Sequence, residues 1–545
     1  MIKALIVDCL GRGSGKRLST VDVIGAGPRS IAGVLEKHKV YVNVKPFKEY
    51  IKTLRRKIKE YDILLISAMS QDIGAVKKAI DLWRKKAKGP VILGGPIVFG
   101  IENIGHLSFD IAVYGEGEAT LNELLENGLR DGIIPSLEAL SKIKGVVFRI
   151  GKKTLFTGAR KFMPRTMLDT YKPSTRVVKD YPQYWAYRVY VEILRGCSNF
   201  YRPLIKLSTR AKCANCNLCF EGPLEKRLKC PYNIPPGCGY CSVPALYGPS
   251  RSRNIDAIVE EIKELIRLGV TRVTLSASDI LDYGRDWLVE PKPLTDPYNP
   301  PANIDALRSL FEKIFSIPEV SSGEVTILLE NIRANLVNNE VAKLLSKYFK
   351  NTPIHMGCET GSDLHAKLIG RPVLPSDVLK ATKILIKYGL KPYIYFIHGL
   401  PGQNIETVRK TVKMIRELGR LGVEKITTYR FTPLPGTAFE NFPPGTPITK
   451  DKLSRAIVDA ANKVNMMRKE NLVGKTVEAI VVNKYHKDRR FNVAYPLPHG
   501  PVILIENADK YYGFKVKVKI VKVASERTVL GRIVSIVRRI KPLSF

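Results

Sequence analysis

Seven of the nine cysteines in this chain crowd into 45 residues, and their spacing is that of metal-cluster ligands. They are Cys197, Cys213, Cys216, Cys219, Cys230, Cys238 and Cys241. Thiolates are soft donors, and clustered cysteines without neighbouring histidines suit iron–sulfur clusters or zinc. Cys213, Cys216, Cys219 and Cys230 run C-x2-C-x2-C-x10-C-P, three cysteines at steps of three and a distal Cys-Pro. That is a ferredoxin-like style of ligation, whereas zinc sites more often pair two C-x2-C knuckles. A second iron–sulfur cluster is favoured on these four, with structural zinc as the alternative. Cys238 and Cys241 share the separate run GCGYCSVP, and Cys197 ends the strand-like VEILRGC. By spacing alone Cys197 fits either group.

Elements must bring these cysteines together, and the surrounding sequence supplies them. Between about Tyr190 and Asn465, short apolar runs alternate with amphipathic helical stretches. The strand candidates are YVEILRG, RVTLSAS, VTILLEN, PIHMGCE, PYIYFIHG and KITTYRFTP. Six β/α repeats fit a complete or partial (β/α)6 barrel with chemistry at the carboxyl ends of its strands. Residues 284–303, rich in Pro and Asp, read as a loop insertion.

The fold class is α/β, in three parts. Residues 1–165 predict a doubly wound parallel sheet, from strands IKALIVDCL, VYVNVKPF, DILLISAM, PVILGG and DIAVYG with helices between them. Ligands in such sheets bind beyond the carboxyl ends of the strands, where Met69, Gly94, Gly95, Gly115 and Gly117 fall. A linker, 166–189, leads to the barrel domain, 190–465, with its Cys-rich insertion at 198–237. In 466–545 the runs KTVEAIVVNKY, FNVAYPL, PVILIENA, FKVKVKIVKVA and VLGRIVSIV predict a small β-barrel.

Composition limits the class of protein. Apolar content of 45% and charged content of 26% are those of a globular chain. Clustered cysteines argue against a secreted disulfide scaffold. No signal pattern and no run of about 18 apolar residues is evident, so a cytoplasmic protein without a membrane partner is expected. The net charge of +37, from 88 basic and 51 acidic residues, points to a polyanionic partner, RNA before membrane. A thermophilic surface is the competing explanation, and the presence of only Gln71, Gln183 and Gln403 fits it.

The order of the motifs resembles the radical S-adenosylmethionine (SAM) superfamily. That resemblance implies a [4Fe–4S] cluster on Cys197, Cys238 and Cys241, one iron left open to SAM, and an electron donor to reduce it. The family's C-x3-C-x2-C is interrupted here by the forty residues 198–237, which carry the other four cysteines. IHMGCETGSD resembles the family's glycine-rich segment after the fourth strand, which would place Glu359, Gly361 and Ser362 near SAM. IYFIHGLPGQNIETVRKT and FTPLPGTAF resemble its fifth strand and closing turn, with Gln403 where an acid is common. Arg251 and Arg253 in YGPSRSRN are candidates for SAM or substrate contacts. Ser278 and Asp279 stand where polar SAM contacts usually occur, although the common Gly-Gly-Glu is absent.

The N-terminal region resembles the cobalamin-binding domain that precedes many radical SAM enzymes, through IGAGPRSIAGVLEKH, DILLISAMS, VILGGP and DIAVYGEGEATLNELL. No Asp-x-His-x-x-Gly is present, so no histidine is offered to cobalt, and a cofactor-free domain is the alternative. GRGSGK (11–16) imitates a phosphate loop, but Leu10 and Arg17 break the motif. GAGPRS (25–30) lacks the third glycine of a dinucleotide fingerprint.

The C-terminal segment resembles the TRAM domain of RNA-modifying enzymes. Residues 471–545 hold 15 Lys/Arg and 5 Asp/Glu, with Tyr485, Phe491, Tyr495, Tyr511 and Tyr512 interleaved. The expected function is therefore RNA modification, most readily methylation of tRNA at an unactivated carbon with cobalamin. Methylthiolation of tRNA is the runner-up, and radical chemistry on a lipid or small metabolite the third reading.

Overall fold

Strands buried on both faces need apolar runs, and ILLIS (63–67) and VILG (91–94) are such runs. In the computed structural model, which describes residues 2–9, 22–151 and 153–542 with the side chains of 53–57 excepted, both are central strands of a seven-stranded sheet. The sheet order is Tyr41–Pro46, Lys3–Asp8, Ile63–Ser67, Val91–Gly94, Ile111–Val113, Val146–Ile150, Lys153–Phe156. The first five are parallel and the last two add an antiparallel hairpin at the edge, which the sequence reading did not include. The strand order reverses at Lys3–Asp8, the crevice where doubly wound sheets bind ligands. One face of the sheet packs on Trp83, Tyr50, Ile80 and Ile97, each under 5% exposed. The loop-like GRGSGK lies outside the described residues.

The chain forms two compact units: Met1–Val191 with Leu246–Gly248 and Asp256–Leu268, and Glu192–Ala245 with Pro249–Ile255 and Gly269–Phe545. Most of the helix Ile255–Arg267 groups with the first unit. Its Glu261 forms a fully buried 2.7 Å ion pair with Arg29, and its Glu264 pairs with Lys172 at 2.5 Å.

In the second unit, Arg272–Ser276 pairs in parallel with Thr326–Leu329. Pro353–Glu359, Lys391–His398 and Lys425–Arg430 form a second parallel set. The Asn331–His355 bridge joins the sets, and the Ile193 amide donates to the Ser276 carbonyl at the other edge. Helices Ile304–Phe315, Asn339–Phe349, Pro375–Lys387 and Ile405–Leu421 each bury one apolar stripe, as the 3.6-residue period requires. Along Pro353–Glu359, burial alternates: Ile354, Met356 and Cys358 are buried, while His355 and Gly357 are partly exposed.

The last five strands close a barrel in the order Thr476–Lys484, Phe491–Leu497, Val502–Glu506, Thr528–Arg539, Phe514–Val523. Strict alternation in FKVKVKI puts Val516, Val518 and Ile520 inside and leaves Lys517 and Lys519 exposed. Among the described residues, no helix is long and apolar enough to cross a membrane.

Candidate functional site

Cys197 follows the short strand Leu194–Arg195, and Cys238 and Cys241 lie in a tight turn in which the Cys241 amide donates to the Cys238 carbonyl. Asn199, 3% exposed, organises the group. Its backbone amide donates to Cys197 Sγ at 3.4 Å, and its side-chain amide donates to Cys238 Sγ and to the Gly370 carbonyl, both at 3.2 Å. N–H groups aimed at sulfur suit thiolates. Burial pushes the Cys197 and Cys241 thiols up to about 12. Gly239, between Cys238 and Cys241, has no space for a side chain: a Cβ would lie 2.4 Å from the Phe439 ring. The Gly239 amide donates to the Ile369 carbonyl and its carbonyl accepts from Phe439, both at 2.8 Å.

Beneath Cys197 lies a buried ionic frame. Arg333 Nε meets Asp279 at 2.6 Å, and Arg333 Nη2 and Arg285 Nη1 both bind Asp282. Asp282 also accepts from Ser250 Oγ at 2.7 Å and from the Ser198 amide at 3.2 Å. Burial alone would raise the Asp282 carboxyl, but Arg333 and Arg285 outweigh it and hold it below its ordinary value. One donor in this frame, Arg333 Nη1, is buried with no partner, and the Arg333 charge acts on Cys197. An unpaired guanidinium nitrogen beside the cysteine turn suits a carboxylate, such as that of an amino-acid ligand.

Glu359 is linked to the Cys238–Cys241 turn through Arg371, which bonds the Tyr240 hydroxyl. It ends its strand at a register shift and adopts φ +64°, a left-handed conformation that costs a non-glycine residue about 1–2 kcal/mol. Burial raises its carboxyl, opposed by Arg371 at 3.3 Å. Arg371 also binds the Gly357 carbonyl and, at 3.0 Å, the Tyr240 hydroxyl, while its Nε has no partner. Gly357 makes room for this pair, since a Cβ there would lie 2.2 Å from Glu359 Oε1.

Several residues expected from the sequence prove to be occupied by structural roles. Asp279 holds Arg333 and caps the turn at Leu281. Ser278 Oγ bonds the Gly196 carbonyl, within the cysteine turn's approach. Arg253, 3% exposed, donates to the Glu192 carbonyl at 2.8 Å. Burial would raise Glu192, but Arg195, with Arg253 and Arg251, holds it below its usual range. Gly361 packs against the backbone of the helix Ile405–Leu421, where a Cβ would meet Thr411 Cα at 2.4 Å. Ser362 caps the helix Asp363–Leu368. Gln403 accepts from the Gly399 amide at 2.8 Å and so staples the Gly-Leu-Pro-Gly turn.

The inner four cysteines face a different setting. Cys213, Cys216, Cys219 and Cys230 line one cavity of about 270 Å³, with Tyr201, Phe220, Tyr298, Gly370 and Arg371 among its walls. Asn215 and Asn217 take φ +53° and +58°, so left-handed turns separate successive cysteines; asparagine tolerates that conformation. The Asn215 amide donates to Cys213 Sγ at 3.4 Å, and buried Arg202 donates to Cys219 Sγ. Cys216 is exposed. Among the described residues, no three Cys, His, Asp or Glu side chains crowd one point as the ligands of a single ion do. Tyr298, from the 284–303 loop, closes one wall by bonding the Pro372 carbonyl. Asn199, Arg333, Arg371 and Tyr298 carry no sequence signal of their own; the two asparagines between the cysteines do.

In the first unit, glycines stand at the carboxyl ends of two of the parallel strands, Val91–Gly94 and Ile111–Val113. Gly94 ends its strand, Gly95 adopts φ +92°, and Gly117 starts the helix Gly117–Glu126. Gly115 adopts φ +79° with open space where a side chain would stand. Met69 is 42% exposed beside them.

Comparison with known proteins gives these features a context. The family model "Radical SAM superfamily" matches residues 228–415. An "Uncharacterized protein MJ1620" of Methanocaldococcus jannaschii is 41% identical over 98% of both chains. A tRNA-2-methylthio-N(6)-dimethylallyladenosine synthase of Moorella thermoacetica is 26% identical over 45% of this chain and 51% of its own. Among solved structures, the radical SAM methyltransferase TsrM of Kitasatospora setae aligns with a TM-score of 0.57 at 14% identity, covering 81% of this chain and 77% of that one. That structure contains cobalamin and a [4Fe–4S] cluster.

Proposed function

Because the chain belongs to the radical SAM superfamily, we propose that it modifies RNA, methylating an unactivated carbon of a tRNA nucleoside with cobalamin as a second cofactor. A radical SAM domain implies a [4Fe–4S] cluster and SAM. Cys197, Cys238 and Cys241 would hold the cluster, which would supply the electron for reductive cleavage of SAM. This chain's residues hold and shield that site. Asn199 orients two of the thiolates, Arg333 offers its free nitrogen to the SAM carboxylate, and Arg371 links Glu359 to the Cys238–Cys241 turn. The strand ends at Gly94, Gly95, Gly115 and Gly117 would lie against cobalamin, with open space at Gly115.

The observation that carries an RNA substrate is the basic C-terminal barrel, with Lys517 and Lys519 projecting from one strand and Lys541 lying 4.8 Å from the Tyr512 ring. Methylthiolation is the second reading; it is favoured by the methylthiotransferase relative and by the inner four cysteines, which could hold a second cluster. Anaerobic reaction of the reconstituted protein with SAM, reductant and tRNA tests the assignment. Nucleoside mass analysis should reveal a gain of one methyl group; a methylthio gain selects the second reading, and no RNA product removes both. Replacing Lys517, Lys519 and Lys522 by Gln should lower the salt slope of tRNA binding by about 2–3.

A further inference from the structure

The partly exposed face of the second parallel set carries a ladder of aromatic rings. His355, Tyr395 and Tyr429 come from three successive strands, with centroids 5.6 and 5.8 Å apart and planes within 16° and 27° of parallel. Tyr393 joins it, 4.9 Å from His355 at 12°, and His499 of the C-terminal barrel meets Tyr393 edge-on at 5.4 Å. The His355 ring and the Tyr395 hydroxyl are hydrogen-bonded, which locks two of the rings in register.

Core aromatics in the same unit pack otherwise. Phe311, Phe315, Tyr348 and Phe349 meet at 48–90°, the tilted and edge-to-face arrangement that apolar burial favours. In the ladder, His355 stands directly opposite Tyr393, whereas Tyr395 is offset by two residues from His355 and Tyr429 by two from Tyr395, the diagonal spacing on one face that long aromatic side chains can reach. The strand Lys425–Arg430 is the last of its set, so Tyr429 has a stacked neighbour on one side, Tyr395, and stays 51% exposed. Glu359 stands in register with Phe396, and Phe396 with Thr428, so Tyr429 lies one residue beyond the row of the set that carries Glu359. Exposed Arg430 follows Tyr429 in the chain, and Lys425 lies 5.1 Å over Tyr393.

We propose that Tyr429 is the stacking platform for the target nucleobase, which continues the His355–Tyr395–Tyr429 ladder and is thereby held beside Glu359. This assignment rests on the RNA reading above. A planar base is the ligand that a parallel ladder extends, and the flanking cations suit the phosphates on either side of it. His499 ties the inner end of the ladder to the basic barrel, giving an unbroken path from RNA anchoring to the reacting base.

The test uses the full reconstituted chain with 4-thiouridine-substituted tRNA, cross-linked by light and mapped by peptide mass spectrometry. A parallel arm records saturation transfer from free purine nucleosides. Cross-links are expected on the peptide containing Tyr429. Tyr429→Leu should lower the yield of modified nucleoside ~5- to 100-fold, while Tyr429→Phe and Tyr429→Trp stay within ~3-fold of the parent. Iron content equal to the parent shows that each variant is folded. A Tyr429→Leu protein that cross-links and modifies tRNA like the parent overturns the platform while leaving the RNA reading intact. A parent that ignores tRNA, yet shows nucleoside transfer that Tyr429→Leu abolishes, overturns the RNA reading and keeps the platform. Failure in both arms removes both.

Discussion

The outer and inner cysteines lie in one stretch of sequence but are held in opposite ways. Asn199 ties Cys197 to the Cys238–Cys241 turn, which is backed by Phe439, and the Arg333–Asp279–Asp282–Arg285 frame lies beneath Cys197. Cys213, Cys216, Cys219 and Cys230 ring a cavity, on a segment with one short helix, Leu224–Leu228. The difference teaches how an insertion of forty residues can enter a catalytic motif without dismantling it. The outer three are oriented by residues at the near edge of the insertion, Ser198 and Asn199, and by barrel elements beyond it. The inner four are held locally, by left-handed asparagines and by Arg202, whose Nε bonds the Ile234 carbonyl at 2.7 Å. The two groups share one partition: Gly370 receives the Asn199 amide on one side and lines the cavity on the other.

Each half of this contrast can be broken separately. The largest effect is expected from replacing Cys197, Cys238 and Cys241 together by Ala: 5′-deoxyadenosine formation should fall to background while the inner site keeps its metal, measured by metal and sulfide analysis. Next comes Arg333→Met, which leaves buried Asp279 without its cation and Asp282 with Arg285 alone. It should cost about 3–5 kcal/mol in chemical unfolding and loosen SAM binding. Gly239→Ala forces a methyl group against the Phe439 ring and should cost about 1–3 kcal/mol, with Phe439→Leu restoring part of the loss. No inner cysteine should be affected by either change.

The smallest effect is a pH dependence. Glu192 titrates below its ordinary value when folded, so its contribution is complete above the unfolded carboxyl pKa, roughly 4.3, and disappears as pH falls through the lower folded value. Glu192→Gln should therefore lower the melting temperature by a constant amount near neutrality, and that gap should close in acid. A gap that widens in acid would mean that Arg195 does not hold Glu192 as a carboxylate.

Much of the architecture was legible in the sequence because apolar periodicity is a local property. All six barrel strands and all five strands of the C-terminal barrel fall on the runs that predicted them. The edge hairpin Val146–Phe156 escaped, since its second strand, KTLF, is largely exposed and carries no burial pattern. At the site, spacing identified the cysteines but could not find their supports. Arg333 and Arg371 are single charges in unremarkable runs, and only folding brings them beside Cys197 and Tyr240. Gly361 shows the reverse case: its position in a glycine-rich motif suggested ligand contact, whereas its bare Cα is required by a helix backbone.

The outer three cysteines alone should hold the SAM-cleaving cluster, and the inner four a separate centre. Anaerobic EPR of the reduced chain with Cys213, Cys216, Cys219 and Cys230 all replaced by Ala, recorded with and without SAM, tests it most directly. The account predicts a single [4Fe–4S] signal that shifts when SAM is added, with 5′-deoxyadenosine still formed. A variant with no SAM-responsive signal and no SAM cleavage, though folded, would contradict it.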